Sequence, residues 1–360
     1  MTRLPNKCFA AILLCAAVSV AIAAPVQSRP PGWPWRGVNI EGNGDASDIN
    51  KLASMKVNAV SLHLSPNRSA LNLHLSPQEA WDRYLEWADQ MLDACQQKGI
   101  VGIISLSGFP IDPNLGIDQA SPEFWRDPVL QLQTVEWVGK LAEHFRQRGA
   151  ELAAYDIISE PVERIPGGNM MKLPEQWPAL QDALIRKIRQ IDPKRYIITT
   201  PGIGGEPIGY VNFTPLNYPR IIYSAHMYDP GDYTQQGIRG SARGKSYPGA
   251  DSNLTKAGLV HFLQPLIDFQ ARYKAYVYIG EFSAVRWAPG GDEYVRDLID
   301  IFDSNKFSWE YFSYGGYHGW NPSFSHEYSS SDASGEWKFH NVGEKTPRWD
   351  ILKKAFSKNP

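Results

Sequence analysis

Two glutamates in this sequence close apolar runs, where an acid is an unusual way to finish a buried strand. Glu160 stands in AAYDIISEPVERI, directly before a proline, and Glu281 stands in YIGEFSAVRW. A third apolar run ends in SAHMYDP, in which His226 and Tyr228 occupy alternate positions and therefore share one face of a strand. One acid before a proline is often only a loop residue or a helix cap, but a second one at a matching place makes the pair a candidate for catalysis.

Two carboxylates that face each other across a cleft have a well-defined chemistry. One can protonate the leaving oxygen of a glycosidic bond while the other attacks the anomeric carbon. The acid needs a raised pKa and the nucleophile must be ionised, which a partly apolar rim with separate hydrogen-bond partners can provide. The pair therefore predicts glycoside hydrolysis, provided that the fold brings the two strand ends together.

The elements that must position these residues are eight short, β-branched apolar runs. Because the runs contain few polar residues, both faces of each strand are expected to be buried, as in a parallel sheet covered by helices. They lie at residues 35–40, 57–64, 100–107, 152–159, 196–201, 221–228, 275–282 and 307–314.

Segments with helical periodicity separate these runs. SPQEAWDRYLEWADQMLDACQQKG opens with a capping box between Ser76 and Glu79 and ends at a glycine. Residues 127–149 repeat the scheme, with an aspartate cap, a proline and a terminating glycine. Further periodic segments lie near 174–191, 254–273, 292–304 and 347–357, and weaker ones lie near 45–56 and 205–217.

This alternation predicts an α/β fold, a (β/α)8 TIM barrel in a single domain over residues 35–360. A doubly wound open sheet is the alternative, but no glycine-rich phosphate fingerprint follows the first run. In a barrel the chemistry lies at the C-terminal ends of the strands. Glu160 on the fourth strand and Glu281 on the seventh would then face each other across the mouth.

With these residues in order, the chain resembles glycoside hydrolase family 5, the cellulase-like retaining barrels. The resemblance rests on WRGVNIEG, YDIISEP, SAHMY, YIGEF and SWEYFSYGGYHGW, and it spans essentially the whole chain after the N-terminal segment. It implies that Glu160 is the acid/base and Glu281 the nucleophile. It further implies that His226 and Tyr228 contact the substrate and the nucleophile, and that Trp309 supplies an aromatic floor.

Three positions depart from the pattern of that family. The family usually has Asn before the acid/base, Arg on the second strand and His at the end of the third, whereas serines stand here, at Ser159, Ser61 and Ser107. Serine replaces part of a hydrogen bond but not a charge. A shift of two residues on the second strand would place His63 inward beside Ser61.

Several aromatic residues are candidates for stacking on sugar rings. Trp309 and Trp320 are the first candidates, and core packing at the barrel end is the equal alternative for both. At least one tryptophan of Trp309, Trp320, Trp287 and Trp125 is expected to stand exposed near the two glutamates. Glu41, just past the first strand, is expected to cap the next helix, and contact with substrate is the alternative.

The N-terminal segment is typical of a secretory signal. Arg3 and Lys7 precede the apolar run CFAAILLCAAVSVAIAA, and Ala21 and Ala23 form a small-x-small cleavage pattern. Residues 1–23 are therefore predicted to be a signal peptide of a secreted or periplasmic protein. A proline-rich tether over 24–34 would follow. The mature chain would keep one cysteine, Cys95, and could form no internal disulfide.

Composition excludes several function classes. The 360 residues have a formal net charge of −2 and are 43% hydrophobic, so no long-range field favours nucleic acid or an anionic membrane. The histidines show no zinc-binding spacing, so neither a metal nor another cofactor is predicted. No G-x-S-x-G elbow is present, so a serine hydrolase is poorly supported. The expected partner is a β-linked oligo- or polysaccharide, bound by a monomer.

A second function class stays open from the residues alone. The three serine replacements are compatible with a barrel of the same ancestry that binds carbohydrate without cleaving it. Retention of two mutually repelling glutamates favours the enzyme, because a retired site has no physical need for them.

Overall fold

The structure is a computed structural model, and it describes residues 28–42, 44–166, 170–238, 241–326 and 340–360. The predicted signal peptide, residues 1–23, lies outside the described residues. Eight parallel strands form a closed barrel in the order β1-β10-β9-β8-β7-β4-β3-β2. The barrel strands are β1 (Arg36–Glu41), β2 (Ala59–Leu64), β3 (Val101–Leu106), β4 (Leu152–Asp156), β7 (Tyr196–Thr199), β8 (Ile221–Met227), β9 (Tyr276–Phe282) and β10 (Ser308–Tyr314).

Closure of the sheet confirms the predicted (β/α)8 barrel, and each apolar run contains one barrel strand. A short antiparallel pair, β5 (Glu163–Arg164) and β6 (Met171–Lys172), lies in the connection that follows β4. None of the helices in the described ranges combines the length and apolar character that a membrane crossing requires.

Helices surround the barrel and bury their apolar faces against it. The capping box predicted at Ser76 is present, with the Ser76 side chain accepting from the Glu79 backbone N–H. The helices are α1 (Ala46–Ser54), α2 (Pro66–Leu73), α3 (Pro77–Lys98), α4 (Pro122–Arg126), α5 (Pro128–Phe145), α6 (Trp177–Ile191), α7 (Gly231–Thr234), α8 (Lys256–Tyr273), α9 (Gly291–Ser304) and α10 (Pro347–Phe356).

One helix expected from the sequence is not formed. Residues 205–217 were predicted as a weak helix, but between β7 and β8 the chain makes only short 3₁₀ turns, at Ile203–Gly205 and Pro207–Tyr210. Gly204 and Gly205 have φ of +53° and +78°, which ends regular helix geometry there. The fifth strand of the barrel is therefore not followed by a covering helix.

The lower end of the barrel is filled by aromatic side chains. Trp35 is fully buried and its ring meets those of Trp33 and Tyr278 edge to face. The residues of the predicted tether that the structure describes, 28–34, therefore end as a plug under the strands. Trp33 and Trp35 lie at the end of the barrel opposite the C-terminal strand ends.

The interior just below the mouth is polar. Asp156 accepts a hydrogen bond from Ser105 at 3.2 Å, and Glu310 accepts one from the Tyr278 hydroxyl at 2.9 Å. Burial raises the pKa of Asp156 to about 6 and raises that of Glu310 well above its usual range. Both acids point into the barrel, so their neighbours in sequence on each strand must point outward.

Candidate active site

Glu160 follows β4 after a sharp change of backbone direction. Ile158, between the strand and the glutamate, has φ of +61° and is completely buried. A β-branched residue rarely adopts this left-handed conformation, and residues held in it concentrate at functional sites. The Glu160 side chain that follows is 42% exposed and faces the mouth.

Glu281 reaches the mouth through a bulge in its strand. Ala225 of β8 pairs with Ile279 of β9, but the next residue, His226, pairs with Glu281, so Gly280 is an extra residue on β9. Bulges of this kind often re-aim a side chain beside an active site. Here the bulge places Glu281 level with His226.

His226 and Tyr228 connect the two glutamates. The His226 Nδ1 lies 2.9 Å from Glu160 Oε1, as a hydrogen-bond donor, and 3.8 Å from Glu281 Oε2. The Tyr228 hydroxyl donates to Glu281 Oε2 at 2.9 Å. One carboxylate oxygen from each glutamate and a ring nitrogen of His226 all lie within 4.8 Å of one another.

Burial and mutual repulsion set the charges in this group. Burial and the charge of Glu160 raise the pKa of Glu281, the charge of His226 opposes them, and the net pKa is about 7. Burial alone would lower the pKa of His226, but Glu281 and Glu160 together raise it to about 9. His226 is therefore a cation held between two acids.

His63 lies inside the mouth, at the inward position that the shifted alignment predicted. Its Nε2 lies 2.5 Å from Asn39 Oδ1, and its ring centroid lies 5.9 Å from that of Phe312. Burial, together with the nearby charge of His226, lowers the pKa of His63 to about 3. A neutral His63 can accept or donate a hydrogen bond without adding charge.

The three serines occupy different environments. Ser159 is buried next to Glu160 in sequence. The Ser107 hydroxyl contacts that of Ser65 and the backbone oxygen of Leu64, so it serves the loop after β2 rather than the acids. Ser61 is buried in the barrel interior below the mouth, where its backbone contacts the carboxylate of Glu310.

Trp309 does not supply the aromatic floor that the resemblance implied. It is fully buried, stacks on Phe356 and donates its indole N–H to Asp303. Because Glu310 points into the barrel, Trp309 must point outward, toward the helices. Phe312 lies two residues after Glu310, so its side chain points to the same side of the strand, into the barrel. It is half-buried and lies next to His63.

Of the four candidate tryptophans, Trp320 lies beside the site. It is half-buried, and its ring centroid lies 5.6 Å from that of Tyr228, the residue bonded to Glu281. Trp287 and Trp125 are buried, and their indole N–H groups donate to the backbone oxygens of Gln236 and Val162.

Several polar residues at the mouth were missed or misjudged from the sequence. Glu41 does not cap α1, because Asp45 does. The Glu41 carboxylate lies close to Gly316, where burial raises its pKa and the charge of Arg68 opposes that rise. Asn39 donates to the backbone oxygen of Gly280 at 2.9 Å and so supports the bulge. Asn39 lies on β1 two residues before Glu41, the acid that ends this strand. That position is the sequence signal that could have identified Asn39 as a residue of the mouth.

A cation could be shared by Glu160, His226 and Glu281, the one set of three acidic or histidine side chains in the described part of the chain that is close enough. Within the set His226 bonds Glu160, and Tyr228 from outside the set bonds Glu281. The chemistry of two carboxylates requires no metal.

A (β/α)8 barrel with two carboxylates at its C-terminal mouth is the architecture of a glycoside hydrolase. The chain belongs to the cellulase family, glycosyl hydrolase family 5, whose model matches residues 24–318. It is therefore a hydrolase of O-glycosyl bonds in β-glycans.

The relatives of this chain are distant. Endoglucanase C of Acetivibrio thermocellus is 22% identical over 267 residues, which cover 63% of this chain and 72% of that protein. A structure of Thermotoga maritima Cel5A in complex with cellobiose is 18% identical with a TM-score of 0.66, over 90% of this chain and 97% of that one. The cellulose synthase subunit Z of Clostridioides difficile is 14% identical with a TM-score of 0.64, over 89% and 99%. At these identities the structures support the fold alone.

Proposed function

We propose that this protein is a secreted retaining glycosidase that cleaves β-linked glycans by double displacement, with Glu281 as nucleophile and Glu160 as acid/base. The observation that carries the proposal is the approach of their carboxylate oxygens to within 4.8 Å. Retaining enzymes hold their carboxyl groups about 5–5.5 Å apart, whereas inverting enzymes leave about 6.5–9.5 Å for a water molecule.

In the first step an oxygen of Glu281 attacks the anomeric carbon, and the bond from that carbon to the leaving oxygen breaks. Glu160 gives its proton to the leaving oxygen, which departs as an alcohol. In the second step a water molecule gives a proton to Glu160 while its oxygen attacks the same carbon. The bond to Glu281 then breaks, and the sugar leaves with its original anomeric configuration.

His226 takes on the electrostatic task that the family gives to an arginine on the second strand. That position is Ser61 here, which is buried below the mouth and carries no charge. His226 donates to Glu160 and lies 3.8 Å from Glu281, and its positive charge favours the ionised form of the nucleophile. Tyr228 adds a second donor to Glu281.

The substrate we propose is a β-glucan or a related β-linked polysaccharide. Support comes from the relatives, since structures of Thermotoga maritima Cel5A are described in complex with cellobiose and with mannotriose. Phe312 and Trp320 offer apolar faces for pyranose rings near the two glutamates.

Azide rescue tests the assignment of roles. Glu281→Ala is expected to lose activity on every substrate, and azide restores turnover with a glycosyl azide of inverted configuration. Glu160→Ala is expected to lose most activity on substrates with poor leaving groups, because an activated aryl group departs without protonation. Azide then gives a product of retained configuration.

The anomeric configuration of each azide product is the decisive measurement, read by NMR. Glu123→Ala, which removes an exposed carboxylate from α4, is the matched control and should neither lose activity nor respond to azide. The same configuration from both glutamate variants, or full activity in either, would contradict the proposal.

A further inference from the structure

The absent helix after the fifth barrel strand leaves a groove on the outer wall. One side of the groove is segment 206–213, and the other is α8, with residues between His261 and Tyr273. Its volume is about 700 Å³, which lies within the range of about 300–1,000 Å³ that small-molecule sites occupy.

The lining of this groove combines aromatic rings with hydrogen-bonding groups. Phe213, Phe262 and Tyr273 are half-buried and keep part of their rings accessible. Asn212, Gln264 and Asp268 are exposed between them. Rings that cover the apolar face of a sugar, next to side chains that bond its hydroxyls, are the features that carbohydrate sites need.

The upper end of the groove adjoins the catalytic mouth. Glu206 lines the groove and follows Gly205, where a Cβ would lie 3.0 Å from the His226 ring. Asp229 also lines the groove and follows Tyr228, the donor to Glu281. Burial raises the pKa of Glu206, and so do the charges of Asp229 and Glu160. The groove therefore begins at the rim of the mouth outside β7 and β8, the two strands that lie between β4 and β9.

We propose that this groove, formed by segment 206–213 and α8, is a second glycan-binding site that holds a stretch of polysaccharide extending out of the mouth. The choice of a β-linked glycan as ligand rests on the proposed function. Gln264 and Asp268 bond each other at 2.7 Å, and with Asn212 they keep exposed polar groups that glycan hydroxyls can bond and the apolar face of a partner helix cannot.

Binding to soluble polysaccharide tests the proposal directly. Two variants change the groove: Ile208→Arg places a long cation at a position that is 58% exposed, and Phe262→Ala removes a ring. Leu132→Arg is the matched control, because Leu132 is 62% exposed on α5, outside the groove. Each change is made alone in a Glu281→Gln background, and affinity for hydroxyethylcellulose and glucomannan is measured by affinity electrophoresis, with circular dichroism to verify folding.

The groove variants are expected to lose at least fivefold in affinity for at least one polysaccharide, and Leu132→Arg is expected to bind as the parent does. With Glu281 restored, kcat/KM should fall at least fivefold more on polysaccharide than on an aryl β-glycoside. Equal binding by the folded groove variants and the parent, or no binding by the parent, would overturn the inference.

The same experiment separates this inference from the proposed function. Normal hydrolysis with no effect of the groove variants rejects the groove alone. Groove-dependent binding without hydrolysis of any β-glycoside rejects the proposed mechanism alone.

Discussion

The charge on Glu281 depends on two neighbours, His226 and Tyr228. His226 lies 3.8 Å away and Tyr228 donates a hydrogen bond at 2.9 Å, and both favour the carboxylate. Burial and the charge of Glu160 act in the opposite direction, and the net pKa of Glu281 is about 7. A nucleophile with this pKa is only partly ionised at neutral pH.

The pH dependence of hydrolysis should report this balance. A carboxylate attacks only when ionised, so activity should fall as the pH drops through the raised pKa of Glu281, with the acidic limb of kcat/KM near pH 7. Tyr228→Phe removes a donor to the charged form and should move that limb upward by about one pH unit.

Tyr233→Phe is the matched control for this profile. Tyr233 is a buried tyrosine whose hydroxyl donates to the backbone oxygen of Pro289, not to the glutamates. Its removal should leave the acidic limb in place. An acidic limb that stays unchanged in Tyr228→Phe would argue against Glu281 as the ionised nucleophile.

Trp320 and Trp309 should differ in what their loss affects. Trp320→Ala removes a ring beside Tyr228 and is expected to raise KM for oligosaccharides about tenfold, a loss of about 1.4 kcal/mol in binding. Trp309→Ala removes a fully buried ring and should cost about 3–5 kcal/mol in the free energy of unfolding. Urea denaturation and steady-state kinetics distinguish the two effects. A raised KM in a folded Trp309→Ala protein would show that Trp309 contacts the substrate after all.

At the scale of elements, the bulge between β8 and β9 positions the active site. Gly280 is the extra residue, and a Cβ built there lies 2.9 Å from Ser224 Oγ and 3.0 Å from His226 Nε2. The glycine allows His226 to pack against the bulge while its other nitrogen reaches Glu160.

Gly280→Ala is therefore expected to push His226 out of line with the two glutamates. We expect kcat to fall at least tenfold and the free energy of unfolding to fall by about 1–3 kcal/mol, the usual cost of overpacking. Gly231→Ala is the control, since nothing lies within 4 Å of a Cβ at Gly231. Enzyme assays with thermal melts check both variants, and an unchanged kcat in Gly280→Ala would show that the bulge does not set the position of His226.

At the scale of the whole molecule, the closed barrel buries the one cysteine expected in the mature chain. Cys95 lies on α3 and is fully buried, and burial raises the pKa of its thiol to about 12. A buried thiol that stays protonated reacts poorly with disulfide reagents.

Counting reactive thiols tests both burial and export. The native protein purified from the periplasm or culture medium should not react with a disulfide reagent such as DTNB. In guanidinium chloride each chain should react with one equivalent of DTNB, because cleavage after Ala23 would remove Cys8 and Cys15. Three equivalents in denaturant would mean that the N-terminal segment is retained, and mass spectrometry of the N-terminus gives an independent check.

The sequence by itself determined the fold and the candidate pair of acids. Eight apolar runs separated by capped amphipathic segments have few ways to bury both faces of every strand, and a closed parallel barrel is one of them. Because function in such a barrel lies at the C-terminal strand ends, Glu160, Glu281, His226 and Tyr228 could be selected from their positions alone.

Only the tertiary structure decided which neighbours these residues have. Strand parity turned Trp309 outward and Phe312 inward, and a one-residue bulge that no local pattern announces placed Glu281 beside His226. Parity and register depend on pairing with other strands, so they are properties of the assembled sheet.

The outer groove is also a tertiary feature. Residues 205–217 have weak helical periodicity, but the glycines and prolines of 201–215 disfavour a helix, and only short 3₁₀ turns form there. The missing helix becomes a binding surface only because α8 exposes Phe262 and Gln264 along the space that it would have filled. Local propensity governs whether a segment forms a helix, but the packing of distant elements decides what is left exposed.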